Sequence, residues 1–343
     1  MTYRAKRRLA AGIAALAGLL LVPLPGLAAP QPAAVHPRVL VVTTFQYGDP
    51  SDERAVGEAQ RWVTRDRLTR RIAIAGLAAP LYCDAAGAEC LIVTGEGKVN
   101  ATASVLVAGV SPQLDLRGTY TVLAGIAGTS PEVASLGSVA VAGWIVDGDL
   151  TYEIDPREPL THERFARSRL GWKTGTEVFR LDAALRAWAL ARVRGVTLLD
   201  SPRARRYRTH YAATPAGGRV PGVYACDVLG SDTYWQGAIA SAFATWWTAQ
   251  STGGRATYCM SSMEDAGVAL ALERLTAMGR ADAARLIVVR AASDYDRPYG
   301  GQSPRQSLQS FAASGGATLA FDNLYVAGEP IVRALRARAG GVR

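Results

Sequence analysis

The chain has 343 residues, 49% of them hydrophobic, and a formal net charge of +9. That length allows two domains or one large α/β domain, with apolar side chains enough for a core. Beyond the first 28 residues no segment is long and apolar enough to span a bilayer, which argues against a pore; any part in transport is then one of binding or processing.

The first residues read as a secretory signal. Arg4, Lys6, Arg7 and Arg8 form a charged start, Leu9 to Val22 an apolar run too short for a membrane span, and Gly26-Leu27-Ala28 a small-residue cleavage site. Cleavage near Ala28 would leave residues 29–343 as a single periplasmic or secreted domain and remove four of the positive charges. The mature chain is then only mildly basic. Its one dense basic run, Arg203, Arg205, Arg206 and Arg208, lies in a Pro/Gly-rich stretch, 201–222, that reads as a solvated loop, not a nucleic-acid surface.

Arg38 to Thr44 is a valine-rich run with the pattern of a strand buried on both faces. A loop over 45–56 and a helix over 57–71 follow, then short strands at 71–75 and 91–94 on either side of Cys83 and Cys90. Four cysteines in an oxidising compartment favour disulfides. Cys83 with Cys90 closes a small loop containing a glycine, and Cys226 with Cys259 follows by elimination. Histidines are few (His36, His162 and His210) and scattered, so neither a metal site nor a Ser-His-Asp triad has a basis.

Gly95-Glu96-Gly97-Lys98-Val99-Asn100 ends a strand and opens a helix over 100–110. Its backbone N–H groups suit a phosphate or a sugar hydroxyl, but it lacks both the third glycine of a dinucleotide fingerprint and the ending of a P-loop. Tyr120 to Ala124 reads as a buried strand stopping at Gly125-Ile126-Ala127-Gly128, where glycine lets backbone approach a ligand. A second apolar run covers 138–142. The acidic residues Asp147, Asp149, Glu153, Asp155 and Glu158 read as a solvated irregular segment, 150–173. Helices are expected at 177–195, 236–250, from 265 to about Met278, at 304–313 and at 330–339. Strands are expected at 196–199, 256–260 and 285–291. Strands alternating with helices throughout predict an α/β fold with a largely parallel sheet.

Three strand ends carry polar groups that can converge: Gly95–Asn100, Met263-Glu264 and Ser293-Asp294. The ordered segments GEGKVNATAS, AGIAGTSPEVASLGSVAVAGWIVDGDLTYEID, GTEVF, CDVLGSDTYW, YCMSSMED and RAASDYDRPYGGQS, spread over about 38–333, closely resemble the purine nucleoside permease (NUP) family. That family is similar in turn to the nucleoside phosphorylase and nucleosidase superfamily. The resemblance implies one domain with a central, mixed but mostly parallel, twisted sheet flanked by helices. It implies that Met263-Glu264 holds the ribose hydroxyls and that Ser293-Asp294 meets purine N7, with Asp294 as acid. Gly95, Gly97, Asn100, Gly125 and Gly128 would lie beside the ligand. Glu58, in a Gly-Glu-x-Gln-x-Trp pattern, is the candidate to activate water or meet phosphate. Tyr234, Trp235 and Tyr295 are candidates to stack on the base. Arg54, Lys98 and Arg290 are the cations available if inorganic phosphate is a co-substrate; no other cofactor and no metal is implied. The function so implied is purine nucleoside binding in support of uptake with an inner-membrane partner, or cleavage of the N-glycosidic bond. The oligomeric state is left open.

Overall fold

The computed structural model describes residues 34–155, 157–158, 164–168, 174–311 and 313–338. The expected leader and its cleavage site lie outside these residues, as does much of 150–173.

Four parallel strands make the centre: β1 (Val39–Thr43), which pairs with β6 (Glu89–Val93) and β7 (Tyr120–Thr129), and β16 (Leu286–Tyr295) on the other side of β7. β1 is buried along its whole length, as a run with no polar alternation requires. Beyond β6 the sheet continues through antiparallel β5 (Leu81–Cys83) and β4 (Arg70–Ile72). β2 (Gln46–Tyr47) and β3 (Val56–Gly57) form a small hairpin within the expected loop after β1. On the far side the last residues of β7 meet β15 (Tyr258–Ser262), which leads to β14 (Asp227–Gly230), β9 (Trp144–Asp147) and β12 (Val178–Arg180). β8 (Val139–Val141) runs antiparallel to β16 and carries β13 (Val223–Tyr224), while β10 (Tyr152–Glu153) and β11 (Arg167–Ser168) pair separately. The mixed sheet and its flanking helices make the expected α/β class.

Several boundaries differ from the sequence reading. β7 does not stop at Gly125: it runs to Thr129, because β16 pairs with it through the glycines. β16 likewise runs past Ala291 and takes in Ser293 and Asp294 at a register shift after Ala292. Of the expected helix over 57–71 only α1 (Ala59–Arg65) is helical; Arg67, at φ 55°, breaks the chain direction before β4. α2 (Lys98–Val110) starts two residues early. The segment 177–195 opens as strand β12 before Asp182 caps α3 (Ala183–Val193) through Leu185 N–H. Residues 196–199 form no strand; Asn323 holds Leu199 instead, through both its N–H and its carbonyl.

The basic run is not a loop either. Ser201 caps α4 (Pro202–Arg208), and Arg208 is buried against Asp200 at 2.7 Å. α5 (Ala238–Thr252) ends on left-handed Gly253, and α6 (Asp265–Ala277) is followed by left-handed Gly279, as the sequence suggests. After α7 (Pro304–Gln309), α8 (Gly316–Ala337) is far longer than the expected 330–339. Its apolar face, Ala320, Leu324, Ala327 and Ile331 among others, packs on the sheet, and this burial outweighs the hydrogen bond that Pro330 removes inside the helix. Both disulfides, Cys83–Cys90 and Cys226–Cys259, are formed. The first joins partners of the β5–β6 hairpin; the second ties the entry of β14 to β15.

Candidate functional site

The carboxyl ends of β1, β7, β15 and β16 enclose a cavity of about 440 Å³. This is where open α/β sheets place ligands. Glu58, Met263, Glu264, Ser293, Asp294 and Gly128 all line it.

Glu58 precedes α1 but does not cap it. Its side chain turns back to the end of β1, where Oε2 accepts from Thr44 N–H (2.6 Å), Phe45 N–H (3.0 Å) and the Thr44 hydroxyl (3.1 Å). Oε1 accepts from Ile126 N–H at 2.7 Å and keeps a second lone-pair direction. Burial pushes this carboxyl up to about 7, against the pull of Arg290 and with the push of Glu264.

Glu264 stands at the N-terminus of α6. Its Oε1 accepts from Gly97 N–H (3.1 Å) and its Oε2 from Arg290 Nη2 (3.1 Å). Burial raises it as well. Arg290 is 1% exposed, and its donors are spent on Asp265, Glu264 and the Ile126 carbonyl. A charged residue in the middle of the apolar run RLIVVRA is the one sign in the sequence of this buried ion pair; Asp265, its closest partner at 2.5 Å, was missed.

Asp294 has different surroundings. Oδ2 accepts from the Tyr234 hydroxyl (2.7 Å) and Gln236 Nε2 (3.1 Å), and Oδ1 from the Ser293 hydroxyl (2.7 Å). All three are neutral, so burial dominates and pushes the carboxyl upward. Gln236 was not foreseen; it lies one residue beyond the segment CDVLGSDTYW. Tyr234 lines the cavity.

The strand glycines Gly125 and Gly128 serve space, not turns, whereas Gly95 (φ 84°) and Gly97 (φ 88°) take left-handed backbone at the start of α2. A Cβ on Gly125 would run into Arg290 and come within 2.9 Å of Glu58 Oε1. One on Gly128 would stand 2.5 Å from Ser261 Oγ and 3.6 Å from Asp294 Oδ2. Gly125 thus makes room for the site's own side chains, while Gly128 borders the cavity. Gly97 offers its N–H to Glu264. Gly95 and Asn100 lie outside the cavity lining, and the Asn100 amide donates to Glu96 carbonyl at 2.8 Å.

Other candidates fall elsewhere. Tyr295 is buried in an aromatic cluster against Tyr211, ring centroids 3.7 Å apart, and Trp235 packs beside Tyr258. Lys98 is tied to Asp147 (2.8 Å) and Asp149 (2.7 Å), which removes these two carboxylates from the expected solvated run. The Arg54 side chain is 91% exposed and pairs with Asp52. Among the described residues no Lys or Arg side chain lines the cavity, whereas the carboxyls of Glu58, Glu96, Glu264 and Asp294 do.

The fold is that of nucleosidases. The chain matches the 5′-methylthioadenosine/S-adenosyl homocysteine nucleosidase of Campylobacter jejuni with a TM-score of 0.52 at 15% identity, over 86% of this chain and 97% of that one. It matches the futalosine hydrolase of Helicobacter pylori with a TM-score of 0.51 at 13% identity, over 85% and 97%. The family model for purine nucleoside permease covers residues 36–338. A probable purine nucleoside permease of Schizosaccharomyces pombe is 30% identical over 322 residues, 86% of this chain and 88% of that protein. The purine nucleoside permease of Candida albicans is 29% identical over 329 residues, 88% of this chain and 76% of its own length. The chain belongs to the purine nucleoside permease family.

Proposed function

We propose that the cavity binds a neutral purine nucleoside in support of uptake, with the ribose at Glu264 and the base at Asp294. The observation that carries this reading is the set of buried carboxyls Glu58, Glu264 and Asp294 around one cavity lined by no cation among the described residues. Carboxylates suit hydroxyl donors. An anion would be repelled, at roughly 3 kcal/mol for each carboxylate charge about 6 Å away in an effective dielectric near 20. Both disulfides support a place outside the cytoplasm, periplasmic or secreted, where an inner-membrane partner would complete uptake.

The same groups suit hydrolysis. As the glycosidic C–N bond breaks, its electron pair passes to the purine and the Asp294 proton to N7. Water attacks the anomeric carbon and gives its proton to Glu58, while Glu264 steadies the ribose beneath the oxocarbenium-like charge. The three foreseen phosphate cations lie outside the cavity lining, which favours water over phosphate as nucleophile. Incubation of the purified protein with inosine and adenosine, with and without phosphate, followed by chromatography of the free base, tests this. Release independent of phosphate is expected. Strict dependence on phosphate overturns the hydrolytic step, and binding without release leaves the protein as an uptake component alone.

A further inference from the structure

The loop between β14 and α5, 231–237, sends two side chains to the carboxyl of Asp294, and together they use up one of its oxygens. Oδ2 accepts from the Tyr234 hydroxyl at 2.7 Å and from Gln236 Nε2 at 3.1 Å. A carboxylate oxygen has two lone-pair directions, so Oδ2 has none to spare. Among the described residues Oδ1 accepts only from the Ser293 hydroxyl, at 2.7 Å, and keeps one direction open.

The two donors to Oδ2 are not equivalent. Gln236 lies outside the cavity lining and reaches the carboxyl from behind. Its amide is held in one orientation: Nε2 also donates to the Tyr295 carbonyl at 2.6 Å, and Oε1 accepts from the Ser307 hydroxyl of α7 at 3.0 Å. The face it presents to Asp294 is therefore always a donor. Tyr234 does line the cavity, so its hydroxyl covers Oδ2 on the side from which a ligand approaches.

In a purine, N7 and the substituent on C6 lie side by side on one edge, and that substituent is a donor when it is an amino group and an acceptor when it is a carbonyl. A carboxyl with both oxygens open meets both positions and so tells the two kinds of purine apart. We propose that Tyr234 is a specificity-determining residue that prevents this: by covering Oδ2 it leaves Asp294 a single contact, Oδ1 to N7, so that 6-amino and 6-oxo purines are held alike. Where Asp294 acts as the acid, its proton sits on Oδ1, the oxygen that faces N7. This rests on reading Asp294 as the group that meets the base.

Free bases test this without turnover. Adenine and hypoxanthine, titrated calorimetrically into the purified protein, are expected to bind within about threefold of each other. In Tyr234→Phe, which keeps the ring, Oδ2 regains a direction on the cavity side. A 6-amino group fills it and a 6-oxo group is repelled, so the adenine-to-hypoxanthine affinity ratio should rise roughly tenfold. Tyr234→Ala opens the same direction and should raise the ratio too, while weakening both bases through the lost ring. A ratio unmoved in both variants, or a preference above about tenfold in the unaltered protein, overturns the proposal. 7-Deazaadenine, which has carbon in place of N7, separates this result from the reading beneath it. The unaltered protein should bind it more weakly than adenine; equal binding would remove Asp294 from N7 and overturn that reading along with the role of Tyr234.

Discussion

Glu264 is the residue whose role is easiest to isolate. Its carboxylate is held by one backbone N–H and one guanidinium, which fix its orientation. Charge-assisted hydrogen bonds contribute about 1.5–3 kcal/mol, so Glu264→Gln should weaken nucleosides roughly ten- to a hundredfold and free purine bases little. Calorimetry with a nucleoside and its base checks this; an equal loss for both would remove the ribose from Glu264. Asp294 and Glu264 were legible in the sequence because each stands beside a strand run that is itself obvious. Arg290 was legible as a cation but not as a spent one, since its partners Asp265 and Ile126 are distant in sequence or silent in side-chain chemistry. Tyr295 and Trp235 were offered to the ligand because aromatic type alone does not say which face of a strand or loop a ring takes.

Among the elements, α8 binds most of the molecule together. At its start, a Cβ on Gly316 would run into the carbonyl oxygen of Ser293, beside the acid. Backbone cannot yield as a side chain does, so Gly316→Ala should cost about 1–3 kcal/mol of stability and lower nucleoside affinity together. A thermal melt beside a binding isotherm would show both. Farther along, Tyr325 donates to Asp66 Oδ1 and Arg336 to Glu89 Oε2, leaving Asp66 Oδ2 and Glu89 Oε1 buried with only each other. Burial, then the charge of Asp66, pushes Glu89 up to about 8 from an ordinary 4.5. In the unfolded chain Glu89 releases its proton near 4.5, but the folded chain keeps it until about 8. Its contribution to stability is therefore full below 4.5 and lost as pH rises through 8. Glu89→Gln should flatten the fall in denaturation midpoint between about pH 4.5 and 8. The central strands were plain from their apolar runs, but β5, β9, β12 and β14 were not, because strands of three or four residues carry too few positions for a period to emerge. α8 was cut short at Pro330 by a local rule that its long buried face overrides.

At the scale of the whole molecule the two disulfides constrain the chain unequally. Cys226–Cys259 spans 33 residues and Cys83–Cys90 only 7. In the chain-entropy picture these correspond to about 3.7 and about 2.4 kcal/mol. Replacing both Cys226 and Cys259 by Ser should therefore lower the denaturant midpoint more than the same change at Cys83 and Cys90. The reverse order would mean that strain or residual unfolded structure governs. The acidic lining of the cavity reaches furthest. On the proposed reading it sorts ligands by phosphorylation state, admitting inosine and turning away its 5′-monophosphate, a difference of at least a hundredfold in affinity at low salt that competition binding would measure. On that reading a nucleotide must lose its phosphate before this cavity can hold it.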